Sequence, residues 1–105
     1  MTQNEFEHHV IAEIEYCKDL LTKKGIEYNE GRQDRLETFK RSAALQHNTP
    51  VQALAGMMCK HTASIYDMCE KGDNSLDKWQ EKITDHINYL LILWALVNDK
   101  VRPCG

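Results

Sequence analysis

An unbroken apolar run near the C-terminus decides the fold, and it reads Tyr89-Leu90-Leu91-Ile92-Leu93-Trp94-Ala95-Leu96-Val97. The residues before this run carry apolar side chains at helical spacing, so the two segments together predict one helix from about Leu76 to Asn98. The predicted stripe consists of Trp79, Ile83, Ile87, Leu90, Trp94 and Val97. A helix that is apolar around its whole circumference has to be buried on every side.

Three further helices in a chain of 105 residues leave part of such a helix uncovered, whereas a second copy would cover it. We therefore predict a homodimer or higher oligomer formed through the C-terminal helix; the alternative is a central helix in a monomeric bundle. The run is shorter than half of the roughly 20 residues that span a membrane, so no membrane partner is expected. The polar segment Met1 to His9 does not have the pattern of a signal peptide, which predicts a cytoplasmic location.

Helix signals upstream of this run divide the chain further. The first helix is predicted from about Asn4 to Lys24, where Gly25 supplies a left-handed end, and a loop covers Ile26 to Gln33. The second helix is predicted to begin at Asp34, because Asp34 and Glu37 have the spacing of a capping box.

The third helix has the clearest start signal in the chain. Thr49 is a good N-cap, Pro50 suits the first helical position, and Gln52 completes a capping box. Gly72 is predicted to end this helix, and residues 73–75 form a capped turn before the last one. The pattern as a whole predicts a single all-α domain over residues 1–105, folded as a four-helix antiparallel bundle.

Bulk composition excludes some functions. The net charge is −3 and the isoelectric point is near 5.9, which argues against general nucleic-acid binding because phosphate neutralisation needs surplus Lys and Arg. A single nucleotide can still bind through a local basic cluster or a bound metal. The cysteines form no CxxC pair and are predicted to be reduced thiols, and they are Cys17, Cys59, Cys69 and Cys104.

Two polar lines oppose the apolar stripes of the last two helices. Glu81, Asp85 and Asn88 are spaced i, i+4 and i+7, at the margin of the buried region. The third helix carries a matching line with a histidine at its edge, and its members are Lys60, His61, Ser64 and Asp67. Since a short turn joins these helices, they are predicted to be antiparallel neighbours, with Asp67 facing Glu81 and Asp85.

Three carboxylates at a helix–helix interface suit a hard cation, which leads to the prediction that Glu81, Asp85 and Asp67 hold Mg²⁺ and carry any catalysis. The alternative is ordinary surface pairing of Glu81 or Asp85 with Lys78, Lys82 or Arg41. His61 and His86 lack a third ligand for zinc.

Further candidates for phosphate contact lie outside these lines. They are Lys24, in the Lys23-Lys24 pair, and Arg35, which could balance phosphate charge. Asp34 is a candidate for nucleotide contact as well, although a helix cap also explains it.

Four segments together resemble a known family. They are residues 17–28 (CKDLLTKKGIEY), 34–43 (DRLETFKRSA), 56–67 (GMMCKHTASIYD) and 81–91 (EKITDHINYLL). The chain resembles, over nearly its whole length, the small phage and prophage proteins called nucleotide-modification-associated domains of the first type. That family is in turn similar to the all-α nucleotide pyrophosphatases of the MazG and dimeric dUTPase group.

The resemblance implies a helical oligomer that holds magnesium with acidic residues and cleaves a nucleoside triphosphate to monophosphate and pyrophosphate. It implies that Glu81 and Asp85 are metal ligands and that Lys60, Asp67 and Asn88 accompany the phosphates or the metal. The sequence departs from the pyrophosphatases in two respects. Glu81 and Asp85 are spaced ExxxD rather than ExxD, and the nearest approach to the EExxE motif is Glu13-Ile14-Glu15.

Three functions follow as hypotheses. The first is magnesium-dependent cleavage of a nucleoside triphosphate between its α and β phosphates. The second is a non-catalytic protein that sequesters a nucleotide, including a cyclic signalling nucleotide of host defence, in the host cytoplasm if a phage encodes it. The third is a helical interaction module. The residues predicted to contact the nucleotide are Lys60, His61, Ser64, Asn88, Asp34, Arg35 and Lys24.

Overall fold

A computed structural model describes residues 1–28 and 34–101, with side chains for residues 1–23 and 34–99. These residues form helices and no strand, which confirms the predicted all-α class. The helices are α1 (Gln3–Tyr28), α2 (Glu37–Gln46), α3 (Pro50–Lys71) and α4 (Leu76–Val101). No helix among the described residues is both long enough and apolar enough to cross a membrane.

The termini of α3 match the sequence signals. The Thr49 hydroxyl accepts a hydrogen bond from the Gln52 N–H at 3.2 Å, and the Gln52 side chain accepts one from the Thr49 N–H at 2.9 Å. Both halves of the predicted capping box are therefore present, with Pro50 at the first helical position. Gly72 ends the helix with a φ of 71°, the left-handed conformation that favours glycine.

Two predicted helix boundaries are wrong. α1 continues through Gly25 to Tyr28, because one glycine inside a long helix lowers its stability by only about 1 kcal/mol. α2 begins at Glu37 rather than Asp34, and no side chain caps it. The Asp34 carboxylate accepts instead from the Leu36 N–H at 3.0 Å, which forms a turn ahead of the helix. The remainder of the predicted loop, residues 29–33, lies outside the described residues.

α4 lies at the centre of the molecule, packed against both α1 and α3, while α2 packs against α3. The α3–α4 pair is antiparallel, since Thr62 and His86 lie at similar distances from the turn that joins the helices and are hydrogen-bonded at 2.8 Å. Side chains of the α2 region, α3 and α4 form the main core. Its members are Leu36, Phe39, Leu54 and Leu96, with Val51, Met57, Tyr89, Ile92 and Leu93 packed around them.

α1 runs parallel to α4. Glu13 is bonded to Gln80 and Thr84, and about two turns or more farther along both helices Leu21 lies beside Leu91 and Ala95. In the predicted antiparallel bundle these two helices would run in opposite directions. The difference arises because helical periodicity specifies which face is buried and not the direction of the neighbouring helix.

A single copy does not enclose the apolar run of α4. Leu96 is buried, but one side of the helix stays open, where Trp94 is 67% exposed and Leu90 is 47% exposed. Val97 and Ile83 continue this open strip, which we call the α4 stripe (Ile83, Leu90, Trp94, Val97). The radius of gyration is 16.1 Å, compared with about 13 Å for a compact domain of this length. Among the residues whose side chains are described, the other helices therefore do not cover α4 completely.

Candidate functional site

A groove between α1 and α4 contains the largest set of predicted site residues. Its polar end is a cleft of about 470 Å³ lined by Tyr16, Leu20, Asp77, Gln80, Glu81, Thr84 and Asp85. Its apolar end is a cavity of about 220 Å³ lined by Leu20, Leu21, Arg35, Asp85, Asn88, Tyr89 and Ile92. The two ends adjoin because Leu20 and Asp85 line both. We call the whole the α1–α4 groove.

Asp85 and Glu81 follow one another by one helical turn at the polar end. Asp85 is half-buried and Glu81 is exposed. Neither carboxylate takes part in an ion pair or side-chain hydrogen bond with the rest of the described chain. The alternative of ordinary surface pairing therefore does not hold here, and Arg41 binds Glu37 at 3.1 Å instead.

The polar end is negatively charged. Asp77, Glu81 and Asp85 all line it, and no lysine or arginine among residues 1–23 and 34–99 does so. Like charges this close repel one another, and a cation between them relieves the repulsion. The arrangement therefore attracts cations, and it repels a free phosphate that arrives without one.

Glu13 anchors α1 to α4 beside this cleft. Its carboxylate accepts hydrogen bonds from the Thr84 hydroxyl, from the Gln80 amide at 3.3 Å and from the Cys17 thiol at 3.3 Å. Burial, reinforced by the Glu13 carboxylate, raises the pKa of the Cys17 thiol to about 11. In the sequence, Glu13 stands out only as part of an incomplete motif. The signal that would identify it is a carboxylate placed among the apolar residues of α1 that face α4.

Asn88 lies at the apolar end, and one polar atom of its side chain is buried without a partner among the described residues. The residue is 9% exposed, and its buried Oδ1 has no hydrogen-bond partner among the described residues. Buried acceptors in folded proteins are nearly always paired, so this unpaired oxygen is unusual. It has almost no accessible surface, although other atoms of Asn88 line the cavity.

The predicted residues of α3 do not reach this groove in the described structure. Lys60 and Asp67 are exposed and Ser64 is half-buried. The His61 ring packs on Tyr89 with centroids 4.9 Å apart. Within residues 1–23 and 34–99, no group of three His, Cys, Asp or Glu side chains is arranged to hold a metal ion, so Asp67 does not join Glu81 and Asp85.

The position of Asp67 has a geometric cause. Thr62 faces α4, where it bonds to His86. Asp67 follows Thr62 by five residues, which rotates it by roughly 140° around the helix. The two polar lines have the same spacing along their helices, but this rotation turns the line of α3 away from α4.

The two predicted site residues before α2, Asp34 and Arg35, have different surroundings. Asp34 bonds to Lys40 at 2.7 Å, and Lys40 also bonds to Asp99 of α4 at 3.0 Å. The Lys40 ammonium and the Leu36 N–H lower the pKa of the Asp34 carboxyl group. Asp34 is therefore engaged in holding α2 to α4, whereas Arg35 lines the groove. The side chain of Lys24 and the whole of Cys104 lie outside the described residues.

Of the predicted site residues, the structure thus brings Glu81, Asp85, Asn88 and Arg35 to one groove. It directs Lys60, His61, Ser64, Asp67 and Asp34 elsewhere. Comparison with protein-family models, with curated proteins and with solved structures found no match to this chain.

Proposed function

We propose that the α1–α4 groove binds a nucleotide through Mg²⁺ held by Glu81 and Asp85, and that it cleaves a nucleoside triphosphate between the α and β phosphates. The observation that supports this proposal best is the pair of carboxylates, one turn apart, that no other described side chain neutralises. Magnesium takes oxygen ligands, keeps several waters, and is commonly completed by substrate phosphates. Two protein carboxylates are enough for such a site.

The charge of the groove determines how phosphates can enter. Its polar end is lined by three carboxylates, Asp77, Glu81 and Asp85, and by no basic residue whose side chain the structure describes. A polyphosphate therefore binds there only together with a cation, which neutralises both partners. Glu81 and Asp85 would hold the magnesium ion, which would supply Lewis-acid activation of a phosphoryl oxygen there. Arg35, on the wall of the adjoining cavity, supplies a positive charge near the nucleotide.

A second candidate is a protein that retains its nucleotide intact, which includes sequestering a cyclic signalling nucleotide. One observation favours it: among residues 1–23 and 34–99, no third His, Cys, Asp or Glu completes a metal-binding group with Glu81 and Asp85. Glu13, the nearest acid on α1, is already bonded to three donors. Hydrolases of this type use a larger acidic set to hold metal and water together.

Calorimetric titration tests both candidates. Nucleoside triphosphates and cyclic dinucleotides are titrated with Mg²⁺ and with EDTA, and the bound nucleotide is then recovered and identified by chromatography. Release of monophosphate and pyrophosphate supports hydrolysis, and intact ligand supports sequestration. Absence of binding by any of these nucleotides contradicts both.

Charge-matched variants identify the site. Asp85→Asn and Glu81→Gln are expected to weaken magnesium-dependent binding by tenfold or more. Asp73→Asn, in the exposed turn before α4, removes the same charge away from the groove and is expected to have no effect. Asp67→Asn distinguishes the site predicted from the sequence, which includes Asp67 of α3, from the α1–α4 groove, which does not. Only the first site would lose affinity in that variant.

We also propose that a second copy covers the α4 stripe, which gives the homodimer or higher oligomer expected from the sequence. The stripe is matched on α1 by exposed Phe6, Val10 and Ile14, so the molecule carries two open apolar strips of similar chemistry. Contiguous apolar strips on a soluble protein are typical of interaction sites. Another copy is the partner that always carries an equal strip.

Light scattering coupled to gel filtration tests the assembly. Trp94→Lys introduces a charge into the stripe and is expected to weaken self-association by at least tenfold. Leu45→Lys makes the same kind of change at a residue of α2 that is 77% exposed, and it is expected to leave the mass unchanged. A wild-type chain that remains monomeric at high concentration contradicts this proposal. If the chain assembles but binds no nucleotide, the remaining hypothesis is a helical interaction module that operates in the cytoplasm.

A further inference from the structure

Trp94 extends from α4 as an exposed indole. Its side chain is 67% exposed, although an aromatic ring of this size stabilises a protein mainly by being buried. Trp94 follows Asp85 by nine residues, which is two and a half helical turns, so the two side chains lie on opposite sides of α4. A partner that covers Trp94 therefore leaves the α1–α4 groove open.

A further cavity lies between α1 and α4, displaced from the groove toward the N-termini of both helices. It has a volume of about 340 Å³, and most of its lining is apolar. Ala12 of α1 lines one side, and Leu76, Trp79 and Ile83 of α4 line the other. We call it the Trp79 cavity.

The Trp79 cavity suits an indole ring. An indole combines a large apolar surface with one N–H group that requires an acceptor when it is buried. The cavity provides both kinds of contact, because Asp77 and Gln80 also line it and carry side-chain oxygens that accept hydrogen bonds.

The cavity and Trp94 lie on the same side of α4. Trp94 follows Ile83, which lines the cavity, by eleven residues, and this spacing is three helical turns and about 20°. The same spacing separates the two residues by about 16 Å along the helix axis. Trp94 therefore cannot enter the cavity of its own chain, and only another copy can supply it there.

We infer that Trp94 of each copy inserts into the Trp79 cavity of the other, with the two α4 helices antiparallel. The inference rests on the proposed covering of the α4 stripe by a second copy, and it adds the contact and the orientation. A two-fold axis perpendicular to α4, midway between Ile83 and Trp94, forms both contacts at once. Leu90, close to that midpoint, then packs against its own counterpart. Parallel helices in register would instead place Trp94 against Trp94 and leave both cavities open.

The open apolar surface is large enough for this interface. It comprises the α4 stripe, Leu76, and residues Phe6, Val10 and Ile14 of α1. The α1 residues also face away from the groove, since Ile14 lies about 160° around the helix from Tyr16, which lines the groove. With exposed fractions of 37–83%, these side chains present on the order of 800 Å², the area that each partner buries in a standard-size interface.

Cross-linking between two single-cysteine proteins tests the orientation. All native cysteines except Cys17 are first replaced by serine; Cys17 is buried and its pKa is raised to about 11, so it does not react. Leu76→Cys and Asn98→Cys are introduced separately, and each protein is treated with a short bismaleimide, alone and after refolding with the other. Position 76 of one antiparallel copy lies near position 98 of its partner, so we expect cross-linked product only from the mixture. Parallel helices would give product from each protein alone.

A double-mutant cycle tests the contact itself, with dissociation constants from analytical ultracentrifugation. Trp94→Ala is expected to weaken self-association a hundredfold or more, because each dimer contains the contact twice. Ala12→Trp fills the cavity with an indole of the same chain and is expected to weaken association at least tenfold. Ala44→Trp, at an exposed position of α2, is the matched control and is expected to have no effect. Once Trp94 is absent, Ala12→Trp is expected to cause no further loss.

Each result has a distinct meaning. Losses that simply multiply in the double variant, or cross-linking of each cysteine protein only with itself, overturn the inference. If the wild-type chain still assembles in that case, the second copy on the α4 stripe stands and only the contact and orientation fall. A wild-type chain that remains monomeric overturns both.

Discussion

Replacing Thr84 by valine tests how α1 is held in place. Thr84 is 2% exposed, and its hydroxyl donates to the Glu13 carboxylate across the α1–α4 interface. Valine keeps the branched shape of the side chain and removes only the donor. The packing of the interface is therefore preserved, and the change in stability reports the hydrogen bond.

The expected loss follows from the surroundings of that bond. A hydrogen bond to a charged group contributes about 1.5–3 kcal/mol to folding. Glu13 is only half-buried and keeps two other donors, Gln80 and Cys17, which places the loss near the lower limit, at about 1.5 kcal/mol. In a domain of this size each kcal/mol corresponds to roughly 4–8 °C, so we expect the melting temperature to fall by roughly 6–12 °C.

Urea unfolding followed by circular dichroism at 222 nm measures the effect. All variants are compared at one protein concentration, since self-association raises apparent stability. Thr22→Val is the matched control, because Thr22 is exposed and its hydroxyl bonds only to backbone carbonyls of α1. The control is expected to change stability by no more than about 0.5 kcal/mol. A Thr84→Val protein as stable as the wild type would show that Glu13 does not join α1 to α4.

Three further predictions follow from the same contacts. Cys17, whose pKa is raised from 9.0 to about 11, is expected to react at pH 8 at least 100-fold more slowly with iodoacetamide than exposed Cys59, as measured by peptide mass spectrometry. Because Lys40 lowers the pKa of Asp34, the stabilisation from that contact is present above the unfolded pKa of about 3.9 and is lost as the pH falls through the lower folded value. Carboxyl-carbon NMR is expected to show the Asp34 pKa rising in Lys40→Met, and an unchanged value would refute the contact. Thr49→Ala removes the cap of α3 and is expected to lower the free energy of unfolding by about 1 kcal/mol in the same urea assay.

Local chemistry explains which helix boundaries could be predicted from the sequence. The cap at Thr49 and the left-handed end at Gly72 depend on residues within four positions of each other, so their signals are complete in the sequence. The start of α2 was not predictable in the same way. Asp34 has the spacing of a cap for α2, but Lys40 and the Leu36 N–H compete for its carboxylate.

The candidate site depended on how helices pair, which spacing alone does not encode. Glu81, Asp85 and Asn88 were found because their spacing on one helix is sufficient to align them. The prediction that Asp67 joins them assumes that polar lines on two neighbouring helices face each other. In the structure, the face of α3 that is turned toward α4 carries Thr62 and not Asp67. The real neighbour of Asp85 and Glu81 is α1, and the parallel direction of that helix brings Glu13 beside them.

The parallel pairing of α1 with α4 has a consequence for synthesis of the chain. The contacts of α1 connect residues 67 and 71 positions apart, whereas α2, α3 and α4 are joined by short turns and can pack as each is completed. During translation α1 leaves the ribosome before the other helices, yet its binding surface is not made until most of the chain has followed. Nascent molecules on one polysome thus carry an α1 helix without its partner until α4 has been made. The α4 surface that binds α1 is also present on a neighbouring chain. Packing of α1 onto the α4 of another chain therefore competes with packing onto the α4 of its own chain.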